Sequence, residues 1–236
     1  MALVDWAEMT NSLNTAIVTR DPSGGFTPPN GGGTFVYAFN SIASADGAVG
    51  RYVNLANFAP IAVAMGGQIT GAILKGPGGI DYASAFLFIS ARGADVNDNA
   101  YMIGFESNDP SNLKVFKGPL VNGIPATDPA AAANGKTLLT SDAAYNADEW
   151  VHVRMDAIVQ PSGDVLIKCY QSDLTAHTVA APAWVALPGC ETYVDDALGV
   201  ASGTLPYDGG YVGYGFEVGL ISRVAQFDYI TVQRQT

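Results

Sequence analysis

Hydrophobic and polar positions alternate most regularly over residues 150–171. Val151, Val153, Met155 and Ala157 fall on one face, against Trp150, His152, Arg154 and Asp156 on the other. A period of two marks a strand with one buried and one wet face. The alternation stops at Gln160-Pro161-Ser162-Gly163, then resumes with Val165, Ile167 and Cys169 against Leu166, Lys168 and Tyr170. Proline presets one turn position and glycine accepts a positive φ, so the pattern predicts a β-hairpin. Further strands are predicted over 35–42, 51–58, 68–75, 83–91, 101–106, 113–116, 136–141, 184–187, 211–218 and 223–233. Clusters of Gly, Pro, Asn and Asp divide them, a spacing that indicates an all-β sandwich or barrel. Residues 122–135 read as a loop insertion, and no repeat or linker splits the body of the chain.

Two strands carry irregularities. In YVGYGFEVG, Val212, Tyr214, Phe216 and Val218 share one face, and Gly213 and Gly215 share the other. Only a backbone or a flat ring approaches such a glycine pair closely. In VAQFDYITV the apolar parity shifts between Phe227 and the pair Ile230 and Val232, which predicts a bulge near Asp228.

The N-terminal segment, residues 1–34, stands apart from the body at 35–236. Leu3, Trp6, Ala7 and Thr10 have helical spacing within residues 3–13. A helix this short is marginal by itself, so Trp6 and Met9 need cover from elsewhere. Two Pro/Gly-rich stretches follow, at 21–25 and 28–33. Two readings stand: a frayed terminus with an edge strand at 15–19, or an extended arm lying on a neighbouring subunit, with Trp6 and Met9 as assembly contacts.

Composition narrows the function. The 236 residues fit one large sandwich and are 48% hydrophobic, 14% charged and rich in glycine, as short strands and tight turns require. A formal charge of −11 repels phosphate backbones, which argues against a nucleic-acid partner and leaves room for a cation. The first residues lack the basic and apolar regions of an export signal, and no apolar run approaches the ~20 residues of a membrane span. The chain is therefore expected to fold in a cytoplasm. Cys169 and Cys190 are too few for a disulfide framework. Cys169 suits a buried reduced thiol, and a bridge between the two stays open.

The strand headed by Glu149-Trp150-x-His152-x-Arg154, with its return GDVLIKCY and the closing strands GYVGYGFEV and FDYITV, resembles concanavalin A-like, laminin-G-type domains. The resemblance covers residues 35–235 and implies an antiparallel jelly-roll β-sandwich carrying an extended N-terminal arm. The segments FVYAFNSI, NLANFAP, SDLTAH and DDALGV are similar, more narrowly, to virion proteins of tailed bacteriophages with this lectin-like fold.

Candidate chemistry is sparse. Hydrolases on this fold need paired carboxylates on one strand, and Glu106, Glu149, Glu191 and Glu217 are each isolated. Glu217 faces the same way as the two glycines and could line a groove. Asp95, Asn97, Asp98, Asn99 and Glu106 have the spacing of a calcium loop, but Ala100 stands where that loop needs glycine. An irregular calcium site at Asp95, Asn97, Asp98 and Asn99 is the sharper reading there, and a solvated turn the plainer one. Asp195-Asp196 either holds a cation or caps a turn. His152 reads as a surface residue, His177 lies far from it in sequence, and neither accompanies a nucleophile motif. Gly76-Pro77-Gly78-Gly79 lacks the lysine-bearing helix of a phosphate loop. Tyr207, Tyr211 and Tyr214, beside glycines, are the candidate sugar-stacking residues.

Three functions compete. The leading expectation is a non-enzymatic structural protein of a tailed-phage virion, a head-decoration or tail-associated component that adheres to copies of itself and to other virion proteins. The second is a carbohydrate-binding module using loop aromatics and possible calcium assistance. A polysaccharide hydrolase or lyase comes last, for want of paired acids.

Overall fold

The computed structural model describes residues 6–8, 18–20, 29–32, 37–40, 48–54, 66–75, 83–91, 99–106, 109–118, 120–121, 124–125, 136–146, 149–200, 202, 204–218 and 224–234. In chain order the strands are β1 (Trp6–Glu8), β2 (Val18–Arg20), β3 (Tyr37–Asn40), β4 (Ala48–Asn54), β5 (Gly67–Leu74), β6 (Ala83–Ala91), β7 (Ala100–Glu106) and β8 (Asp109–Gly118). They continue with β9 (Leu120–Val121), β10 (Ile124–Pro125), β11 (Lys136–Ala144), β12 (Trp150–Val159), β13 (Val165–Ser172), β14 (Val185–Ala186), β15 (Thr192–Asp195), β16 (Tyr211–Val218) and β17 (Val224–Arg234).

Two antiparallel sheets form a sandwich. One runs β1-β4-β16-β6-β7-β8-β11, and the other β14-β13-β12-β5-β17-β3-β2, with β15 also on β13. The chain changes sheets repeatedly, so neighbours in space come from distant parts of the sequence, as in a jelly roll. The inward faces meet in one core that includes Leu87, Ile103 and Val115 from the first sheet and Ile69, Val153 and Ile167 from the second. Gly71 permits this close approach, because a Cβ there would sit 3.2 Å from Ile230 and 3.3 Å from Leu87.

The predicted hairpin is β12–β13, paired from His152↔Ser172 to Val159↔Val165. Gly163 closes it at φ 91°, and the Gln160 N–H donates to Asp164 O at 2.8 Å. The predicted bulge is present as well. The β5–β17 register shifts between Asp228 and Thr231, and Tyr229 has φ 52°.

Two expectations need correction. Trp6–Glu8, within the helical spacing at 3–13, is a strand paired with Tyr52–Asn54. A ladder supplies hydrogen bonds without the nucleation cost of an isolated helix turn. The side chain of Trp6, and Met9 altogether, lie outside what is described. Second, the supposedly wet face of β12 is covered, since His152 and Asp156 are 1% and 2% exposed. Alternation reports which face meets the core, but not what lies over the other.

Candidate functional site

Two loops cover that outer face of β12 and β13. Residues 173–187 leave the end of β13 and return as β14, forming a strap. Asp173 starts the strap by accepting the N–H and hydroxyl of Thr175 at 2.8 and 2.6 Å. These bonds hold its carboxyl below the ordinary range. Farther along, the Ala183 N–H donates to Ser172 Oγ at 3.1 Å, and Trp184 packs on His152 with ring centroids 4.6 Å apart. The second loop, Pro29 to Gly32, docks on the strap. Asn30 Nδ2 donates to Leu174 O and His177 O, at 3.1 and 3.0 Å, and Asn30 O accepts the Val179 N–H at 2.9 Å.

A cleft of about 580 Å³ opens where this strap, the docked loop and the end of β11 converge on β12 and β13. Tyr145 closes the end of the sandwich beneath it. Its ring meets Phe105 edge-on at 5.8 Å, and its hydroxyl donates to Gln171 Oε1 at 2.7 Å, linking the two sheets. Burial, with the charge of Glu149 nearby, pushes the Tyr145 hydroxyl up to about 12, so it stays a neutral donor. Glu149 Oε2 accepts both the backbone N–H and the amide of Asn146, at 2.7 and 3.2 Å. Trp150 is half-buried and also lines the cleft. The result is an open recess edged by planar amides and carboxylates beside two aromatic rings.

A different cluster closes the opposite end. Asp195 lies in the interior, where the Lys117 ammonium contacts Oδ2 at 2.6 Å. The Tyr101 hydroxyl donates to the same carboxylate, and the Ser202 hydroxyl to its other oxygen at 2.5 Å. Lys117 also donates to Ser202 Oγ and Thr204 O, both at 2.6 Å, and faces the Tyr207 ring at 4.9 Å. The oxygens of this cage thus already surround a cation, one supplied by the chain. Desolvation lowers the Lys117 pKa against the opposing pull of Asp195, and burial raises that of Tyr101. Asp196 caps its turn, accepting the N–H groups of Leu198 and Val200 at 3.0 Å.

The residues singled out from sequence are therefore scattered. Tyr207 and Tyr214 are buried, not exposed platforms: Tyr207 stacks on Tyr101 at 5.1 Å and Tyr214 on Phe227 at 5.1 Å. The flanking glycines face a layer of phenylalanine. Gly213 pairs with Phe88 and Gly215 with Phe86, both fully covered. Backbone pairing places Tyr211 opposite Ala91 and Glu217 opposite Ser84, while their side chains lie outside the description. Asp95, Asn97 and Asp98 also lie outside it, and Asn99 is half-buried just before β7. No group of three metal-ligating side chains occurs among the described residues. Cys169 and Cys190 are buried free thiols. Among the cleft residues, Glu149, Trp150 and Val151 drew notice in the sequence as part of a strand, and Ser172 to Thr175 only as part of the segment SDLTAH. Asn30, Asn146, Gln171 and Asp173 carry no spacing signal, because separate loops bring them together.

No protein-family model and no curated protein sequence matches the chain. Solved structures do. The carbohydrate recognition domain of Emp46p, in a metal-free form, is 9% identical over 98% of this chain and 88% of its own, with a TM-score of 0.50. A protein of unknown function from Shewanella oneidensis MR-1 is 10% identical over 99% and 79%, with a TM-score of 0.52. The fold is a concanavalin A-like jelly-roll sandwich. The carbohydrate-binding module CBM66 from Bacillus subtilis is also similar, 12% identical over 87% and 94%, at a TM-score of 0.44. At these identities the likeness is one of architecture. The lectin-like sandwich supplies the frame, and the cleft has to be read from its own residues.

Proposed function

We propose that this protein is a non-enzymatic glycan-binding module that takes a sugar chain in the cleft beside Tyr145 and Trp150. The observation that carries this reading is the cleft's lining. Sugars present paired hydroxyls at their edges and C–H groups on their faces. Planar side chains such as those of Asn146, Glu149 and Gln171 match the edges, and an aromatic ring matches the face. Among the described residues, two carboxylates and no cationic side chain line the recess, which favours an uncharged sugar over an acidic one. A non-catalytic role is supported by the way the two cleft carboxylates are engaged within their own loops, Asp173 by Thr175 and Glu149 by Asn146.

A glycan array tests the reading, using the wild type and Asp173→Ala with and without a chelator. The expected result is a set of glycans bound by the wild type, weakened in the variant and indifferent to chelation. Silence of the wild type across the array would overturn it.

One observation favours subunit adhesion as a second reading, as in a tailed-phage virion. Val194, Leu198, Val200 and Leu205 are exposed at the outer end of the β13–β15 ladder. The backbone at Gly199 packs against that of Thr204 and Leu205, which brings Leu198 and Val200 near Leu205 as an exposed apolar knob. The knob suits contact with another copy of this chain. Mass photometry should show oligomers that Leu198→Ser dissociates, and a monomer at every concentration would remove this reading.

A further inference from the structure

His152 is fully enclosed, yet neither ring nitrogen has a hydrogen-bond partner. Buried polar groups are normally paired, and a charged imidazole here would lose its hydration with nothing in exchange. Its cover is the Trp184 indole, 4.6 Å away on the strap. Ser172 sits directly opposite His152 and holds the neighbouring strap residue through the Ala183 N–H. The imidazole therefore lies at the point where the strap is fastened to the sheet.

We propose that His152 and Trp184 form an acid-released latch, in which protonation of the buried imidazole ejects the indole and lifts residues 173–187 from the sheet. The charged groups around it do not substitute for water. On β12, Arg154 is committed to Asp156 by bonds of 2.8 and 2.6 Å. On β13, Lys168 pairs opposite Asp156. On β17, Asp228 lies beyond Ala72 and accepts the Tyr229 N–H. On the strap, Asp173 is engaged by Thr175, and the backbone N–H of His177 donates to Asp173 O. Desolvation alone accounts for the depression of the His152 pKa from 6.5 to about 4.

The sign follows from proton linkage. The closed form binds its proton only near pH 4 and the open form near 6.5, so closure is complete in stability above about 6.5 and weakens toward 4. Between those values the opening constant rises about tenfold for each pH unit lost. Residues 173–175 form a wall of the cleft, so opening dismantles that wall. The latch itself stands whether or not the cleft holds a glycan.

The test is cleavage within the strap by an acid-stable protease between pH 7 and 4.5, each rate divided by that of an unfolded reference peptide at the same pH. Native-state cleavage reports the open population when reclosing is fast. The wild type should show close to a tenfold rise per unit below about pH 6.5. His152→Phe, which keeps an aromatic ring but cannot be protonated, should flatten that rise, with far-UV circular dichroism confirming the sheets. Should the phenylalanine variant fail to fold, His152→Met replaces it. An unchanged pH slope in a folded variant, or a wild type with no slope, would overturn the latch.

Discussion

The Lys117 ammonium lies 2.6 Å from the Asp195 carboxylate, and neither side chain reaches solvent. The pair joins β8 of one sheet to β15 of the other, inside the end of the sandwich opposite the cleft. Removing one partner strands the other charge, which typically costs about 3–5 kcal/mol. Lys117→Met should therefore lower unfolding stability by about that amount, read from urea midpoints. Adding Asp195→Asn should recover much of the loss, since the carboxylate charge is then gone. Equal stability of Lys117→Met and the wild type would show that the ion pair is dispensable.

The docked N-terminal loop makes a sharper geometric demand. Gly31 has φ 75°, and a Cβ there would lie 2.4 Å from the Thr178 Cβ. Gly31→Ala combines a left-handed backbone with a clash, so the loop should lift from the strap at a cost of about 1–2 kcal/mol or more. Hydrogen exchange at the Val179 amide, which donates to Asn30 O, is the readout. Faster exchange there with the core amides unchanged is the expected outcome. Unaltered Val179 protection would contradict the docking.

The two thiols should be inert in the folded protein. Burial raises the pKa of Cys169 well above the ordinary thiol range and pushes that of Cys190 up to about 12. The thiolate is the reactive form, so labelling by a thiol reagent near pH 8 should wait on unfolding. In denaturant both cysteines should react within the time of a free-thiol control. Rapid labelling of the native state would show that the β13–β15 region opens on its own.

Much of the frame was legible because it depends on local alternation. The β12–β13 hairpin, the Asp228 bulge and the alternating face of β16 each follow from parity and turn chemistry over a dozen residues or fewer. Failures arose where a non-local partner decided the outcome. His152 is covered by Trp184, from the strap, and Tyr214 packs on Phe227, from the opposite sheet, so neither neighbour shows in the local alternation. The ring expected against the β16 glycines is supplied by phenylalanines of β6, and the tyrosines beside those glycines looked exposed because nothing local shows what covers them. Likewise, the sequence left Asp195 between a cation site and a turn cap, as its partner Lys117 lies 78 positions earlier. The cleft was illegible for the same reason. Asn30, Tyr145, Gln171 and Asp173 form no motif until three loops meet.

The most direct test of the glycan-binding account is amide and indole chemical-shift mapping on titration with the strongest array ligand. The account predicts shifts concentrated at Asn146, Glu149, Trp150, Gln171 and Thr175 around the cleft. Shifts centred instead on Val194, Leu198 and Leu205, with the cleft silent, would contradict it.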